Sequence, residues 1–326
     1  MRASVIVPAF NAGKLIANCL RSLQDQTVPR SEYEVVVVDD GSSDSTAAAA
    51  EAFPGVKVVR QQNQGPAAAR NRGAGEARAA IVLFTDSDCI PARNWMEEML
   101  RPFDEDPDVI GAKGRYLTRQ PELVARFVQA EYEDKYRLLG RHRFIDFIDT
   151  YSACFRTEVF LQFGGYDTSF PVACAEDVEL SYRMANQGLK MVYVPGAVVY
   201  HQHPSSWGAY FNKKYKFAYW RMLAVRKNPN KAISDTHTPQ LMKVQLLLAP
   251  AAVLGAALSA VWPGAMLPTA LALALFLAAS LPFAVRAMRK DPAVAAASPW
   301  ALFMRALYQF AGVARGSVDS FLLRKH

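Results

Sequence analysis

Along residues 1–88, apolar positions fall in short β-branched runs separated by stretches of helical spacing. Residues 4–7, 34–38, 56–59 and 80–84 read as strands, each a brief apolar run bounded by polar or turn-forming residues. Between them Leu15, Ile16, Cys19, Leu20 and Leu23 recur on one helical face. Ser42 and Ser43 can cap a helix through residues 47–50, and Pro66 can start another. This alternation predicts an α/β parallel sheet, and the unbroken run Val35-Val36-Val37-Val38 predicts strands covered on both faces. Right-handed crossovers gather the strand ends at one edge, where open α/β sheets bind their ligands.

Beyond Asp88 the rhythm is irregular. A helix is predicted over 121–139, a strand over 152–155, a break at Gly164-Gly165, a helix over 176–187 stopped by Gly188, and strands over 190–194 and 197–201. This half is expected to hold an acceptor, and residues 111–151 match no motif that would identify it. Residues 244–285 then carry no charge at all. Such a stretch is long enough for two membrane spans of roughly 20 residues each, with Trp262-Pro263-Gly264 as the turn. Lys243 before it, and Arg286, Arg289 and Lys290 after it, predict a hairpin with both ends in the cytoplasm. The competing reading is a buried helical pair in a soluble domain. Residues 300–313, with Arg305 amid apolar neighbours, read as an interfacial amphipathic helix. The expected division is a catalytic domain over 1–235 and a membrane-associated helical region over 236–326.

Composition narrows this picture. The formal charge of +7 allows nucleic acid or anionic lipid, but much of the excess lies between Lys213 and Lys243, directly before the apolar stretch. A membrane surface is therefore expected, and no nucleic acid. The four cysteines form no CxxC pair, so neither a disulfide framework nor a zinc site is suggested. The chain enters its first strand without the regions of a signal peptide, so the first domain is expected to be cytoplasmic, at the inner (plasma) membrane.

Two acidic clusters end strands at the ligand edge: Asp39-Asp40 after the second and Asp86-Ser87-Asp88 after the fourth. On an extended chain, Asp86 and Asp88 would point to one side. Two hard oxygen ligands so placed suit Mg²⁺ or Mn²⁺, which also bind diphosphate oxygens and offset the charge of a departing nucleoside diphosphate.

Taken together, the motifs resemble the inverting family 2 glycosyltransferases of the GT-A fold. The resemblance is carried, in order and spacing over roughly residues 2–204, by Val7-Pro8-Ala9-Phe10-Asn11, Val38-Asp39-Asp40-Gly41-Ser42-Ser43-Asp44, Gly65 to Gly73, Thr85-Asp86-Ser87-Asp88, Gly164-Gly165-Tyr166-Asp167 and Glu176-Asp177-Val178-Glu179-Leu180. It implies a Rossmann-like nucleotide-diphospho-sugar transferase domain followed by transmembrane or interfacial helices. It also implies a nucleotide-sugar site at Pro8, Phe10, Asn11, Asp39, Asp40, Arg70, Asp86 and Asp88, with one Asp of the Asp39-Asp40 pair on the base. A carboxylate accepting from a ring N–H favours uracil without excluding other bases. Asp86, Asp88 and His201 would hold the metal. Asp177, at a helix N-terminus that normally keeps a carboxylate ionised, resembles the general base that deprotonates an acceptor hydroxyl. Glu176 and Glu179 would help hold the acceptor. His203 is a weaker metal candidate than His201.

The implied activity is metal-dependent inverting transfer from a nucleotide sugar, UDP-sugar favoured, to a saccharide or lipid-linked hydroxyl, in cell-envelope or extracellular polysaccharide or glycolipid synthesis. The alternative from another class is a non-catalytic membrane scaffold or sugar-nucleotide sensor, against which the presence of both Asp88 and Asp177 argues. A nicotinamide dehydrogenase lacks support because Phe10 to Lys14 offers no GxGxxG loop. A sugar-nucleotidyltransferase would need a glycine-rich basic loop near the first strand, and none is present there.

Overall fold

The computed structural model describes residues 1–170, 174–231 and 235–323. The chain folds into two compact units that are not consecutive in sequence: residues 1–119, 139–202 and 227–237 form the first, and residues 120–138, 203–226 and 238–326 the second. The expected division at residue 235 is thus replaced by an interleaved one. Two segments assigned to the catalytic domain, residues 120–138 and 203–226, group with the C-terminal helices.

The first unit is built on eight strands: β1 (Ala3–Ala9), β2 (Tyr33–Asp39), β3 (Val56–Arg60), β4 (Ile81–Phe84), β5 (Ile90–Pro91), β6 (Val109–Leu117), β7 (Ala153–Arg156) and β8 (Lys190–Tyr200). Their order across the sheet is β3-β2-β1-β4-β7-β6-β8-β5. β3, β2, β1 and β4 run parallel, β7 is antiparallel to β4 and β6, and β8 runs parallel to β6. β1 and β2 are buried throughout, as their apolar runs require, whereas the edge strand β3 is only partly covered. The two short strands expected over 190–201 are one strand, carried through Pro195-Gly196 by a register shift against β6.

Helices α1 (Ile16–Gln24), α2 (Thr46–Glu51), α3 (Pro66–Gly75), α4 (Trp95–Glu105), α6 (Thr157–Gln162) and α7 (Glu176–Asn186) belong to this unit, and α5 (Leu123–Leu139) and α8 (Trp207–Lys227) largely to the other. α1 buries Ile16, Cys19, Leu20 and Leu23, while Leu15 stays exposed at its N-cap. Pro66 opens α3 as expected. Ser42 and Ser43 do not cap α2: both are drawn to Asn11, and Asp44 accepts from the Thr46 N–H instead. Gly164 and Gly165 both have positive φ and reverse the chain after α6. A Cβ on Gly165 would also run into the Asn71 amide, which brackets the Tyr166 backbone.

The second unit adds α9 (Gln240–Ser259), α10 (Met266–Met288) and α11 (Pro292–Ser317). α9 and α10 are joined through a short turn at Pro263–Ala265, as the uncharged stretch predicts. By length and composition both can cross a membrane, and only 17% of the most apolar window of each is buried. The core instead lies among α5, α8, α10 and α11, where Phe127, Tyr210, Phe276, Phe283, Ala301 and Leu302 pack. Residues 300–313 are the middle of a 26-residue helix that buries Ala301, Leu302, Arg305 and Ala306 and leaves Trp300, Tyr308 and Phe310 exposed. Arg305 is buried, donating to Glu131 at 2.6 Å and to Gln245 at 2.5 Å. Its charge is answered by a carboxylate of α5 rather than by lipid headgroups.

Candidate active site

The parallel strands end together, and the loops beyond them brace one another. Asn11, just past β1, has φ +50, a conformation Asn tolerates better than most residues. Its N–H donates to Ser42 Oγ at 2.9 Å and its Oδ1 accepts from the Ser43 N–H at 2.9 Å. Asn11 thus locks the β1 loop to the β2 loop, leaving Phe10 exposed beside it and Pro8 buried in β1 opposite Val38. Asp40 accepts from Gln61 Nε2 at 2.7 Å and from the N–H groups of Gln64 and Gly65 at 2.9 Å each. Both its oxygens are engaged in holding the loop that leads into α3. Asp39 accepts only from the Ser42 N–H at 3.2 Å, and its second oxygen has no partner among the described residues. Of the expected pair, Asp39 is the one free to meet a base.

Asp86 and Asp88 do not lie on an extended chain. The Cys89 N–H donates to the Asp86 carbonyl at 3.0 Å, closing a tight turn that sends the two side chains to different partners. Asp86 accepts from Arg70 at 2.7 Å, so it stands apart from the metal cluster in which it was expected. Arg70, expected beside the nucleotide, is 2% exposed and also donates to Glu176 at 3.2 Å. Burial works against its charge, but Asp86 and Glu176 outweigh that and hold it firmly protonated. Glu176 was expected on the acceptor side. It is buried, and its other oxygen accepts from the Cys174 and Ala175 N–H groups at 2.8 and 3.1 Å. Glu179 likewise turns inward, accepting from Arg183 at 2.8 Å. Both serve the start of α7, where orphan N–H groups and the Arg70 charge attract carboxylates.

Asp88 Oδ1 lies 3.5 Å from His201 Nδ1, and these two atoms with Cys89 Sγ all fall within 4.8 Å of one another. The Asp88 side chain is 40% exposed and reachable from solvent. An oxygen and a nitrogen donor converging there fit a divalent cation. His201 is held by stacking on Tyr116, with ring centroids 4.7 Å apart, and by its N–H to the Leu117 carbonyl at 3.0 Å. His203 lies in the second unit, where it packs on Tyr132 and contacts Gln129 Oε1 at 3.1 Å. It is no part of the cluster.

Asp177 is half-buried near the start of α7. Contrary to the expectation that the helix end keeps it ionised, its pKa is pushed up to about 8, first by burial and then by the charges of Glu176 and Asp149. Asp149 in turn holds Lys113, which is buried in β6 and also donates to Tyr151 Oη at 3.0 Å. Burial lowers the Lys113 pKa despite Asp149. Lys113, Asp149 and Tyr151 escaped the sequence reading. The available signal was Lys113 following the apolar and small residues Val109 to Ala112 in one strand, a pattern that marks a buried charge needing a partner.

With this geometry in view, the similarities to known proteins fall into line. Residues 4–160 match the family model "Glycosyl transferase family 2". The chain is 40% identical over 99 residues to the glycosyltransferase AglE of Haloferax volcanii, covering 29% of this chain and 33% of AglE. It is 28% identical over 211 residues to the pre-mycofactocin glycosyltransferase of Mycobacterium tuberculosis, covering 61% of this chain and 42% of that protein. The chain thus spans about a third to less than half of these relatives. In structure, the mannosyltransferase PcManGT of Pyrobaculum calidifontis superimposes with a TM-score of 0.63 and 24% identity, over 98% of this chain and 87% of PcManGT. The fold is that of the GT-A glycosyltransferases, followed by helices of which two are apolar enough to span a membrane. The family match takes in a little under half of the chain, the part that holds β1 to β4 and the acidic turns.

Proposed function

We propose that this protein transfers a sugar, with inversion, from a nucleotide diphosphate sugar to a hydroxyl of a saccharide or lipid-linked acceptor at the cytoplasmic face of a membrane. The observation that carries the reading is Asp177: a half-buried carboxyl on the frame built by Arg70, its pKa raised to about 8, where a general base works best near neutral pH. The acceptor hydroxyl attacks the anomeric carbon while its proton passes to the Asp177 carboxylate. The bond from that carbon to the diphosphate oxygen breaks, and the nucleoside diphosphate leaves with the electron pair. One displacement inverts the carbon and needs no second carboxylate as nucleophile.

Asp88 and His201 would hold a divalent cation, which supplies charge neutralisation of the diphosphate. Asp39 would accept from the base; uracil N3–H suits it, and so does guanine N1–H. PcManGT, of the same fold, is described with GDP-Man and Mn²⁺. Arg70, Asp86 and Glu176 position rather than touch the donor, and Asp40 and Asn11 shape the loops around it.

The apolar α9–α10 pair supports the membrane location. Leu247, Leu254 and Leu267 are 67%, 69% and 79% exposed, a large apolar surface for water to cover. Reporter fusions after Lys290 should report cytoplasm, and a periplasmic or luminal signal would reject the orientation.

The reading is tested by screening UDP- and GDP-sugars for divalent-dependent release of nucleoside diphosphate, with and without saccharide and lipid-linked acceptors. Turnover with one donor, lost in Asp88→Ala, supports it. Binding of a nucleotide sugar without turnover, under any acceptor, would favour the scaffold or sensor reading.

A further inference from the structure

Cys89 follows the Asp86-Ser87-Asp88 turn directly, and the turn folds its sulfur back toward His201. Cys89 Sγ lies 3.7 Å from Asp88 Oδ1 and 3.7 Å from His201 Nδ1, and the latter two atoms are 3.5 Å apart. The three atoms form a nearly equilateral triangle. Ligand bonds of about 2.0 to 2.3 Å in a tetrahedral site separate neighbouring ligand atoms by about 3.3 to 3.8 Å. An octahedral ion with bonds of about 2.0 to 2.1 Å brings adjacent ligands to about 3.0 Å. The observed separations match a tetrahedral face.

We propose that Cys89 is a third protein ligand of the cation, making this an oxygen, nitrogen and sulfur site that takes a borderline ion such as Zn²⁺ or Co²⁺ with a sulfur bond. This rests on the proposed reading that Asp88 and His201 hold a divalent cation. Three protein ligands leave a tetrahedral ion one open position, the arrangement of sites that engage a substrate oxygen. On binding, the thiol gives its proton to solvent and the sulfur takes the cation in its place. Stacking on Tyr116 keeps His201 in register with the sulfur. Of the three, Cys89 alone escaped the sequence reading, because its sulfur meets His201 only through folding, across 112 residues.

The test is a titration of the metal-stripped full chain in detergent with Co²⁺, read by absorption, beside a Mn²⁺ titration read by electron paramagnetic resonance. A sulfur-to-cobalt charge-transfer band should appear and saturate at one equivalent. It should vanish in Cys89→Ser, weaken in Asp88→Asn, and persist in Cys19→Ser, the neighbouring buried thiol. If Co²⁺ displaces Mn²⁺ but the wild-type protein shows no such band, Cys89 is not a ligand, while the Asp88–His201 reading stands. A band that survives Cys89→Ser likewise overturns the proposal. If neither ion binds, both the proposal and the reading beneath it fail. The wild-type spectrum decides even if a variant does not fold.

Discussion

Arg70 on α3 and Asp86 in the turn after β4 meet at 2.7 Å, and through its second nitrogen the same guanidinium reaches Glu176 at the head of α7. One buried cation therefore ties the acidic turn to the helix that carries Asp177. Its side chain is 3% exposed and that of Glu176 2%, so Glu176 has no water to turn to if the guanidinium is lost, whereas Asp86 is partly solvated. Arg70→Met is expected to destabilise the protein by about 3 to 5 kcal/mol, the cost of leaving a buried charge unpaired. Urea denaturation measures this, and adding Glu176→Gln should recover part of the loss. A change below about 0.5 kcal/mol, the size of a surface substitution, would show that the bridge does not hold the site.

Asp39 and Asp40 are neighbours with separable duties. Asp40→Ala removes an acceptor from two loop N–H groups and Gln61, and should cost about 1 to 3 kcal/mol of stability. Asp39→Ala should leave stability nearly unchanged and weaken nucleotide binding in calorimetry. The reverse assignment would show the opposite pattern.

How much of this was legible in the chain depends on range. Strand runs such as Val35 to Val38, the helix start at Pro66 and the uncharged hairpin are local patterns, and the structure has them where the pattern lies. The acidic residues were also found, because charge at a strand end is visible in one dimension. Their partners were not. That Asp86 turns to Arg70, that Glu176 points inward, and that Arg305 meets Glu131 174 residues away are consequences of packing. The same holds for Asp177, whose raised pKa comes from Asp149 and Glu176 together with burial. The unit division was hidden for a related reason: α5 and α8 have no long apolar run to mark them as partners of the C-terminal helices.

Glu131 gives the helical unit an acid-sensitive joint. Burial opposes its charge, but Lys214 and Arg305 outweigh this and pull its pKa down to about 2. A depressed pKa contributes stability that is present above the ordinary glutamate value, near 4.5, and lost as pH falls toward about 2. Thermal unfolding in detergent between these limits should show a falling midpoint for the wild type, and a shallower fall for Glu131→Gln from a lower start. Identical slopes would exclude Glu131 as the cause.

For Asp177 the sign is reversed. Its folded pKa, about 8, lies above the ordinary aspartate value of 3.8. Its contribution to stability is full below about 4 and is lost as pH rises through about 8. The base form gains over the same range, so kcat/KM should rise with pH toward about 8 while stability from this group declines. Asp177→Asn, which cannot ionise, should be more stable than wild type at pH 9 relative to pH 5, as read by paired melting curves. An equal difference at both pH values would mean that Asp177 titrates like an ordinary surface carboxylate.

The central claim is that Asp177 takes the proton of the acceptor hydroxyl, and the most direct measurement is turnover of Asp177→Asn at saturating donor and acceptor. Asn keeps the size of the side chain and caps a helix as well as Asp does, so a merely structural role would survive the exchange. The account predicts a folded protein that binds donor and cation as wild type does, with kcat reduced about 10² to 10⁴-fold. Near-wild-type kcat in the folded variant would contradict it.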